Sequence, residues 1–332
     1  MIPRPLGRTG VSVPPVGLGC MSLSGFYGET NETEAMRLLA AALDLGVNFW
    51  DTANVYGEGL SETRLGKFFA EDRARRERVT LATKFAISRD AEGKRFIDNS
   101  PEHMNKALDG SLKRLGVDHV DLYYVHRLDP RFPIEETVGA LTRQIEKGKI
   151  RAIGLSETAP DTLRRAHSVH PIAAMQSEYS LWTRGPELGM LQACAELGVA
   201  FVAFSPVGRG ALGGRLRDPA SLPSSDFRKS NPRFTGLNWT RNLTRVDAYV
   251  EVARSFGRDP GELAMAWILA QGPHILTIPG TRYAENLAHD ARAADKPLTP
   301  AEAEAVARVL PVGWAAGDRY TDAQWANIER YC

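Results

Sequence analysis

Cysteine is scarce: three residues, Cys20, Cys194 and Cys332, stand far apart in a chain of 332. An odd, widely spaced set supplies neither a disulfide framework nor a zinc site and suits reduced thiols in a reducing compartment. His167 and His170 stand close together, but no Cys or carboxylate pair beside them completes a ligand set, so no metal is expected. An excess of one charge is also missing. Lys and Arg number 41 against 40 Asp and Glu, without long runs of like charge, which removes the electrostatic footprint of a nucleic-acid binder. The local basic stretch Arg73-Ala74-Arg75-Arg76-Glu77-Arg78 reads as a solvated helix-to-strand connection. No apolar run reaches the length of about eighteen residues that suggests a membrane span, and the segment from Met1 to Arg8 lacks the apolar core of a secretory signal. A soluble, cytoplasmic protein is expected, and its oligomeric state is not readable.

Two common sequence motifs are absent as well. An open dinucleotide-binding sheet normally carries Gly-x-Gly-x-x-Gly at its first strand-to-helix turn, yet Gly17-Leu18-Gly19-Cys20-Met21-Ser22 has no third glycine. The Gly-x-Ser-x-Gly elbow of serine hydrolases is missing too. What is present is an alternation of short apolar runs and stretches of helical spacing. The runs fall near Val16–Gly19, Val47–Asp51, Val79–Lys84, His119–His126, Ile150–Ser156, Ala173–Ser177, Ala200–Phe204 and His274–Ile278. Helical spacing fills the intervals, as in Glu34–Leu45, Pro101–Leu115 and Ile134–Lys147. Parallel strands need such crossovers. An α/β class with a (β/α)8 TIM barrel as a single domain over residues 1–332 is the expected fold. Additions are expected at three places: an N-terminal hairpin near Pro5–Val13, a lid loop from Gly208 to Asn242 after the seventh strand, and a C-terminal helix at Pro300–Leu310.

Three of the apolar runs close on an ionisable side chain that a buried strand would otherwise exclude: Asp51, Lys84 and His126. Tyr56 follows Asp51 in the polar turn Ala53-Asn54-Val55-Tyr56-Gly57-Glu58-Gly59. A barrel places its chemistry at the C-terminal ends of its strands, so the four residues form a candidate proton-transfer centre. A free phenol, with pKa about 10, is a sluggish acid at neutral pH, and a neighbouring ammonium is expected to lower it. Lys84 supplies that charge and Asp51 holds the lysine protonated; His126 is placed to bind or protonate a substrate oxygen. With no protein nucleophile in view, the attacking species is expected from a cofactor, and hydride from a nicotinamide fits.

These residues carry a resemblance. The run Leu45-Gly46-Val47-Asn48-Phe49-Trp50-Asp51-Thr52-Ala53-Asn54-Val55-Tyr56-Gly57, the Thr83-Lys84-Phe85 strand, Tyr124-Val125-His126-Arg127, Gly154-Leu155-Ser156-Glu157 and Gln176-Ser177-Glu178-Tyr179 together resemble the aldo-keto reductases over nearly the whole chain, in a branch that reduces carbonyls with NADPH. The resemblance implies Tyr56 as general acid, tuned by Lys84 and Asp51, with His126 orienting the carbonyl. It puts Ser156 and Gln176 on the nicotinamide carboxamide, Phe204 against the nicotinamide ring, Asp51 beside its ribose, and Gly19, Met21 and Ser205 at the cofactor as well. Gly208 and Gly210 would pass the pyrophosphate, and Gly280, Thr281 and Arg282 would receive the adenosine 2′-phosphate, a helix-entry turn with a guanidinium being a sensible phosphate cradle. The branch has a further basic residue where this chain has Tyr283, and Glu-Asn where it has His289-Asp290; an Asp290 carboxylate on a ribose hydroxyl would favour NADH. Tyr27, Arg127 and Trp182 are the expected substrate contacts, for a small-molecule carbonyl compound. Two rival readings use the same scaffold: a nicotinamide-binding regulatory subunit with slow turnover, and an aldolase or isomerase with Lys84 as Schiff-base amine.

Overall fold

Eight parallel strands, each short and nearly free of exposed side chains, set the architecture. The computed structural model describes residues 1–329, and Cys332 lies outside the described residues. After an antiparallel hairpin of β1 (Arg4–Pro5) and β2 (Ser12–Val13) come β3 (Leu18–Gly19), β4 (Phe49–Asp51) and β5 (Thr80–Phe85). A second hairpin, β6 (Ile87–Arg89) and β7 (Arg95–Ile97), leaves the end of β5. The sheet continues with β8 (Leu122–Val125), β9 (Ile153–Ser156), β10 (Ile172–Glu178), β11 (Ala200–Phe204) and β12 (Ile275–Thr277). Pairing follows sequence order from β3 to β12, omitting the second hairpin. A parallel bridge from Val16 to Thr277 joins the first strand to the last, with Gly17 N donating to Thr277 O at 2.8 Å and Thr277 N to Pro15 O at 2.8 Å. The sheet is thus a (β/α)8 barrel without an open edge, which removes the aggregation hazard of unpaired strands.

The inward positions are filled by Phe49, Ala82, Leu122, Tyr124, Ala174, Val202 and Leu276, joined at the strand N-terminal ends by Leu6 and Val13 from the first hairpin. Full burial of each large side chain there contributes about 1.5–3 kcal/mol. Outward positions such as Trp50, Leu81, Tyr123, Leu155 and Phe201 pack against the helices. These are α1 (Glu32–Asp44), α2 (Leu60–Glu71), the one-turn α3 (Ala74–Glu77), α4 (Pro101–Leu115), α5 (Ile134–Glu146), α6 (Pro160–Val169), α7 (Met190–Leu197), α8 (Gly236–Ser255), α9 (Pro260–Leu269), α10 (Ala284–Arg292) and α11 (Pro300–Val309). Caps follow the residues: Asn31 closes a capping box with Glu34, and Ser100 accepts from His103 N ahead of Pro101.

The lid differs from expectation at its far end. A loop to Asn242 was expected, whereas α8 begins at Gly236 and the irregular part consists of short 3-10 turns between Gly208 and Phe234. Periodicity misses this helix start because Leu237 is exposed while the polar Asn242 is buried. Asn242 Nδ2 donates to Arg233 O and Ala316 O, both at 2.9 Å, and its Oδ1 accepts from Ala316 N at 2.8 Å. A polar side chain thus ties the helix to lid and tail. The tail beyond α11 returns to the barrel, where Trp314 Nε1 donates to Leu181 O at 2.7 Å.

Gly154 leaves room for the inward Tyr124 of the neighbouring strand: a Cβ there would sit 2.4 Å from two ring carbons. Gly154→Ala is expected to lower unfolding free energy by about 1–3 kcal/mol through overpacking, and Tyr124→Leu in the same chain to recover part of it. Urea midpoints check this; an unchanged midpoint for Gly154→Ala contradicts the packing described.

Candidate active site

Asp51 is the last residue of β4 and pairs with Gly19 on one side and Ala82 on the other. Lys84, second from the end of β5, pairs with Tyr124 of β8. Both side chains are essentially inaccessible, and Lys84 Nζ donates to Asp51 Oδ1, to Thr52 O at 2.9 Å and to Tyr56 Oη at 3.3 Å. The second carboxylate oxygen of Asp51 accepts from Gln176 Nε2 at 2.8 Å. Tyr56 is held by a tight turn in which its N–H meets Ala53 O, and Ser61 N returns to Tyr56 O. His126 follows β8, anchored by its N–H on Phe85 O at 3.1 Å, with its ring edge-on to Tyr56 at 6.0 Å between centroids. All four residues expected at the rim come together there.

Burial dominates their protonation. It pushes the Asp51 carboxyl up, with Lys84 and Gln176 pulling against it, and would by itself lower the Lys84 ammonium, which Asp51 and Tyr56 instead hold above its ordinary value. The imidazole of His126 is driven well below its usual range by burial and then by Arg127, Lys84 and Arg95, so it is neutral at neutral pH. Its Nδ1 is buried without a hydrogen-bond partner. For Tyr56 the expectation needs correction: burial raises the phenol, and the opposing pull of Lys84 is smaller. The lysine offsets part of the desolvation rather than making Tyr56 a stronger acid than a free phenol in the protein without ligand.

The residues expected at the cofactor line the same rim. Ser156 ends β9 beside Gln176 and receives a long contact of 3.4 Å from Arg127 Nη1. Phe204 ends β11, partly exposed, and is followed by Ser205 with a left-handed φ of 52°. Gly208 has φ of 57°, and a Cβ on it would lie 2.6 Å from Trp182; Gly210 is also left-handed, at φ of 93°. Gly19 ends β3 and Met21 lies in the 3-10 turn after it; Gly19 N donates to Pro279 O and Ser22 Oγ to Thr281 O at 2.6 Å, joining this segment to the turn after β12. In that turn the N–H groups of Gly280, Thr281 and Arg282 donate to no described protein atom, leaving donors at the entrance to α10 that fit an anionic cofactor group. Arg282 reaches Glu29 O at 2.7 Å and has no carboxylate partner among the described residues, while Tyr283 is exposed beside it. Asp290 is buried on α10, and burial with Asp259 pushes its carboxyl well above the usual range, which weakens the negative charge expected of it.

Tyr27 packs edge-on against Phe26 and against Phe227 of the lid, and burial pushes its phenol up to about 12. Arg127 is buried next to His126. Trp182 makes its contacts elsewhere, with Phe234, Trp314 and the backbone at Gly208, none of them in the tetrad.

A second ionic group escaped the sequence reading. Glu178, last in β10, accepts from Arg209 Nη2 at 2.7 Å and Thr183 Oγ1 at 2.9 Å, with Arg319 at 3.5 Å. Glu157, just past β9, pairs with Arg319 and accepts from Glu178 N at 3.0 Å. Burial opposes ionisation of Glu178, but Arg209, Arg319 and Arg233 bring it down to about 2. The lid and the tail are thereby tied to two strand ends. The signal that marked Asp51 and Lys84, a charged residue closing an apolar run, marks Glu157 and Glu178 equally.

The aldo/keto reductase family matches residues 15–311. The chain is 41% identical over 321 residues to aldo-keto reductase yakc (NADP(+)) of Schizosaccharomyces pombe, covering 96% of this chain and 94% of that one. It is 40% identical over 319 residues to probable aldo-keto reductase 1 of Glycine max, with 96% and 91% covered. Among solved structures it is similar to a glycerol dehydrogenase from Gluconobacter oxydans, with TM-score 0.82, 29% identity, and 91% and 92% of the two chains covered. It is also similar to the holo form of an aldo-keto reductase from Bacillus halodurans, with TM-score 0.76, 29% identity, and 97% and 99% covered. This strand-end centre therefore stands in a barrel shared with those proteins, and the chain is an enzyme of the aldo/keto reductase family.

Proposed function

We propose that the chain reduces aldehydes or ketones to alcohols with NADPH, with Tyr56 as proton donor, as a single-domain cytoplasmic enzyme; NADH is the alternative cofactor. The observation that carries this reading is the position of Lys84 Nζ, in contact with both Asp51 and the Tyr56 hydroxyl. The NADP(+) in the name of the Schizosaccharomyces pombe relative supports the cofactor choice. So do the free N–H groups at Gly280–Arg282 and the uncompensated Arg282 guanidinium. No helix among the described residues is long and apolar enough to cross a membrane.

A bound nicotinamide supplies hydride to the carbonyl carbon. The protein's share is the oxygen. A carbonyl oxygen seated between Tyr56 and His126 accepts a hydrogen bond from the phenol and one from the neutral imidazole, and takes the Tyr56 proton as negative charge develops on it. Lys84 stabilises the phenolate left behind, and Asp51 keeps Lys84 charged where burial would discharge it. Thus the lysine acts most strongly after proton transfer has begun, consistent with a resting phenol whose pKa is raised. Gln176 and Ser156 would hold the nicotinamide carboxamide, with Phe204 and Ser205 against its ring and Gly208 to Gly210 along the pyrophosphate. Gly19 and Met21 would flank it from the first strand. Tyr27 and Arg127 would meet the substrate, and the buried Trp182 would support Gly208 from below.

Tyr56→Phe deletes the transferable proton and little binding surface. Carbonyl reduction is expected to fall by about two to four orders of magnitude with NADPH affinity nearly unchanged; wild-type single-turnover hydride transfer in this variant contradicts the assignment. Lys84→Met is expected to be at least as damaging to the rate and to lower stability by about 3–5 kcal/mol, because Asp51 is left as an unpaired buried charge. Denaturant titration checks the second part, and a stability equal to that of the unmodified enzyme rules out the described ion pair. Arg282→Ala is expected to weaken NADPH by about 1.5–3 kcal/mol while barely affecting NADH. Dissociation constants for the two cofactors decide it: equal weakening means that Arg282 positions the turn and does not read the 2′-phosphate.

A further inference from the structure

The catalytic rim carries positive charge that the protein does not neutralise. Arg127 is 8% exposed, and such a guanidinium normally meets a carboxylate. Arg209, Arg258 and Arg319 do so, through Glu178, Glu302 and Glu157. The equally buried Arg64 commits both terminal nitrogens to the carbonyls of Leu23 and Thr30. Arg127 differs from all of these. Its Nη1 donates to His126 O at 2.6 Å and reaches Ser156 Oγ at 3.4 Å, and its Nε is buried without a partner. Its Nη2 makes no hydrogen bond to the described protein and is not enclosed by it.

Asp51 and Glu157, the carboxylates of the adjoining strand ends, are committed elsewhere. Both oxygens of Asp51 are taken, by Lys84 and Gln176. Those of Glu157, next to Ser156, are taken by Arg319 and Glu178 N. A second guanidinium belongs to the adjoining hairpin. Arg95 lies on β7, in the hairpin that leaves the end of β5 beside Lys84, and forms no ion pair among the described residues. Its charge helps to hold the His126 imidazole low, and it is itself lowered by burial and then by Arg127. The phenol of Tyr320 from the tail, raised by burial and then by Glu157, also feels Arg127. The rim beside His126 therefore holds Arg127 without a carboxylate partner, and Arg95 of the adjoining hairpin adds positive charge that His126 feels.

We propose that the preferred substrates are carbonyl compounds bearing a carboxylate, held by Arg127 with Arg95 at the mouth of the site. The inference rests on the reductase reading given above and names its substrate class. A carboxylate oxygen matches the accessible Nη2 of Arg127, the terminal nitrogen that makes no hydrogen bond to the described protein. It would also supply the missing counter-charge, so desolvating the substrate is offset by an interaction that a neutral carbonyl compound cannot make. Arg127 acts here as a specificity residue, through the remote end of the substrate.

The test compares each acid with its neutral ester under the same conditions: 4-oxobutanoate with its methyl ester, and 4-formylbenzoate with methyl 4-formylbenzoate. With NADPH, kcat/KM for the acid is expected to exceed that for the ester by about tenfold or more in at least one pair. In Arg127→Met the acid-to-ester ratio is expected to collapse toward one, whatever becomes of the ester rate, and in Arg95→Gln to fall part of the way. The ratio, read within one variant, is insensitive to a general loss of active protein. Equal kcat/KM for acid and ester in both pairs overturns the inference and leaves the reductase reading standing. An acid preference that survives Arg127→Met overturns the assignment to that residue. Turnover of none of the four compounds overturns the inference together with the reading beneath it.

Discussion

A lysine with no measurable exposure has to be kept charged, and the site depends on how this barrel does it. An ammonium in such surroundings would lose its proton without a counter-charge. Asp51 provides one, and the cost of burying the carboxylate is offset in turn by Gln176. These three side chains come from β4, β5 and β10, so the ion pair exists only when the barrel has closed in the right register. A slip of one residue would turn Lys84 to the other face of its strand. The same register brings Tyr56 to the ammonium and His126 to Tyr56, so fold and chemistry share one constraint.

A second ionic layer performs a different task at neighbouring strand ends. Glu178 and Glu157 bind Arg209 from the lid and Arg319 from the tail, and Arg233 reaches Thr183 at 2.6 Å. Aromatic faces extend it: Arg209 lies over Phe227 and Tyr320, and Arg319 over Tyr320 and Trp325. Arg209 sits between Gly208 and Gly210, so the ion pair that fastens the lid also fixes the backbone of those glycines. Every guanidinium in this layer lies within 4 Å of a carboxylate. Arg127, 3.4 Å from Ser156 Oγ, has no carboxylate partner among the described residues and stands in contrast.

Much of this was legible because strands and their closing residues are local features. Asp51, Lys84 and His126 announced themselves as ionisable side chains ending apolar runs, and eight such runs separated by helical spacing required a parallel sheet. The N-terminal hairpin and α11 were legible for similar reasons. What stayed hidden depends on partners distant in sequence. Glu157 and Glu178 carried the same local signal, but their arginines lie in the lid and the tail, more than thirty positions away for Arg209 and over a hundred for Arg319. The start of α8 was hidden because Asn242 is buried for its hydrogen bonds and not for its hydrophobicity. The direction of the Tyr56 shift was misjudged from sequence because a neighbouring charge can be inferred from motif spacing, while the competing desolvation is a property of everything packed around the ring.

In this account Tyr56 is a half-buried phenol that stays protonated through neutral pH and yields its proton only as charge develops on the substrate oxygen. The most direct measurement is the pH dependence of hydride transfer in a single turnover, followed by NADPH absorbance, for the unmodified enzyme and for Tyr56→Phe. With the phenol raised above its ordinary value, the rate is expected to stay level across neutral pH and to fall only on the strongly alkaline side, as the proton is lost before it can be given. That alkaline limb should be absent from the residual activity of Tyr56→Phe. A limb that persists unchanged in the variant, or a rate that already collapses between about pH 6 and 8, well below the ordinary range of a phenol, would show that another group delivers the proton.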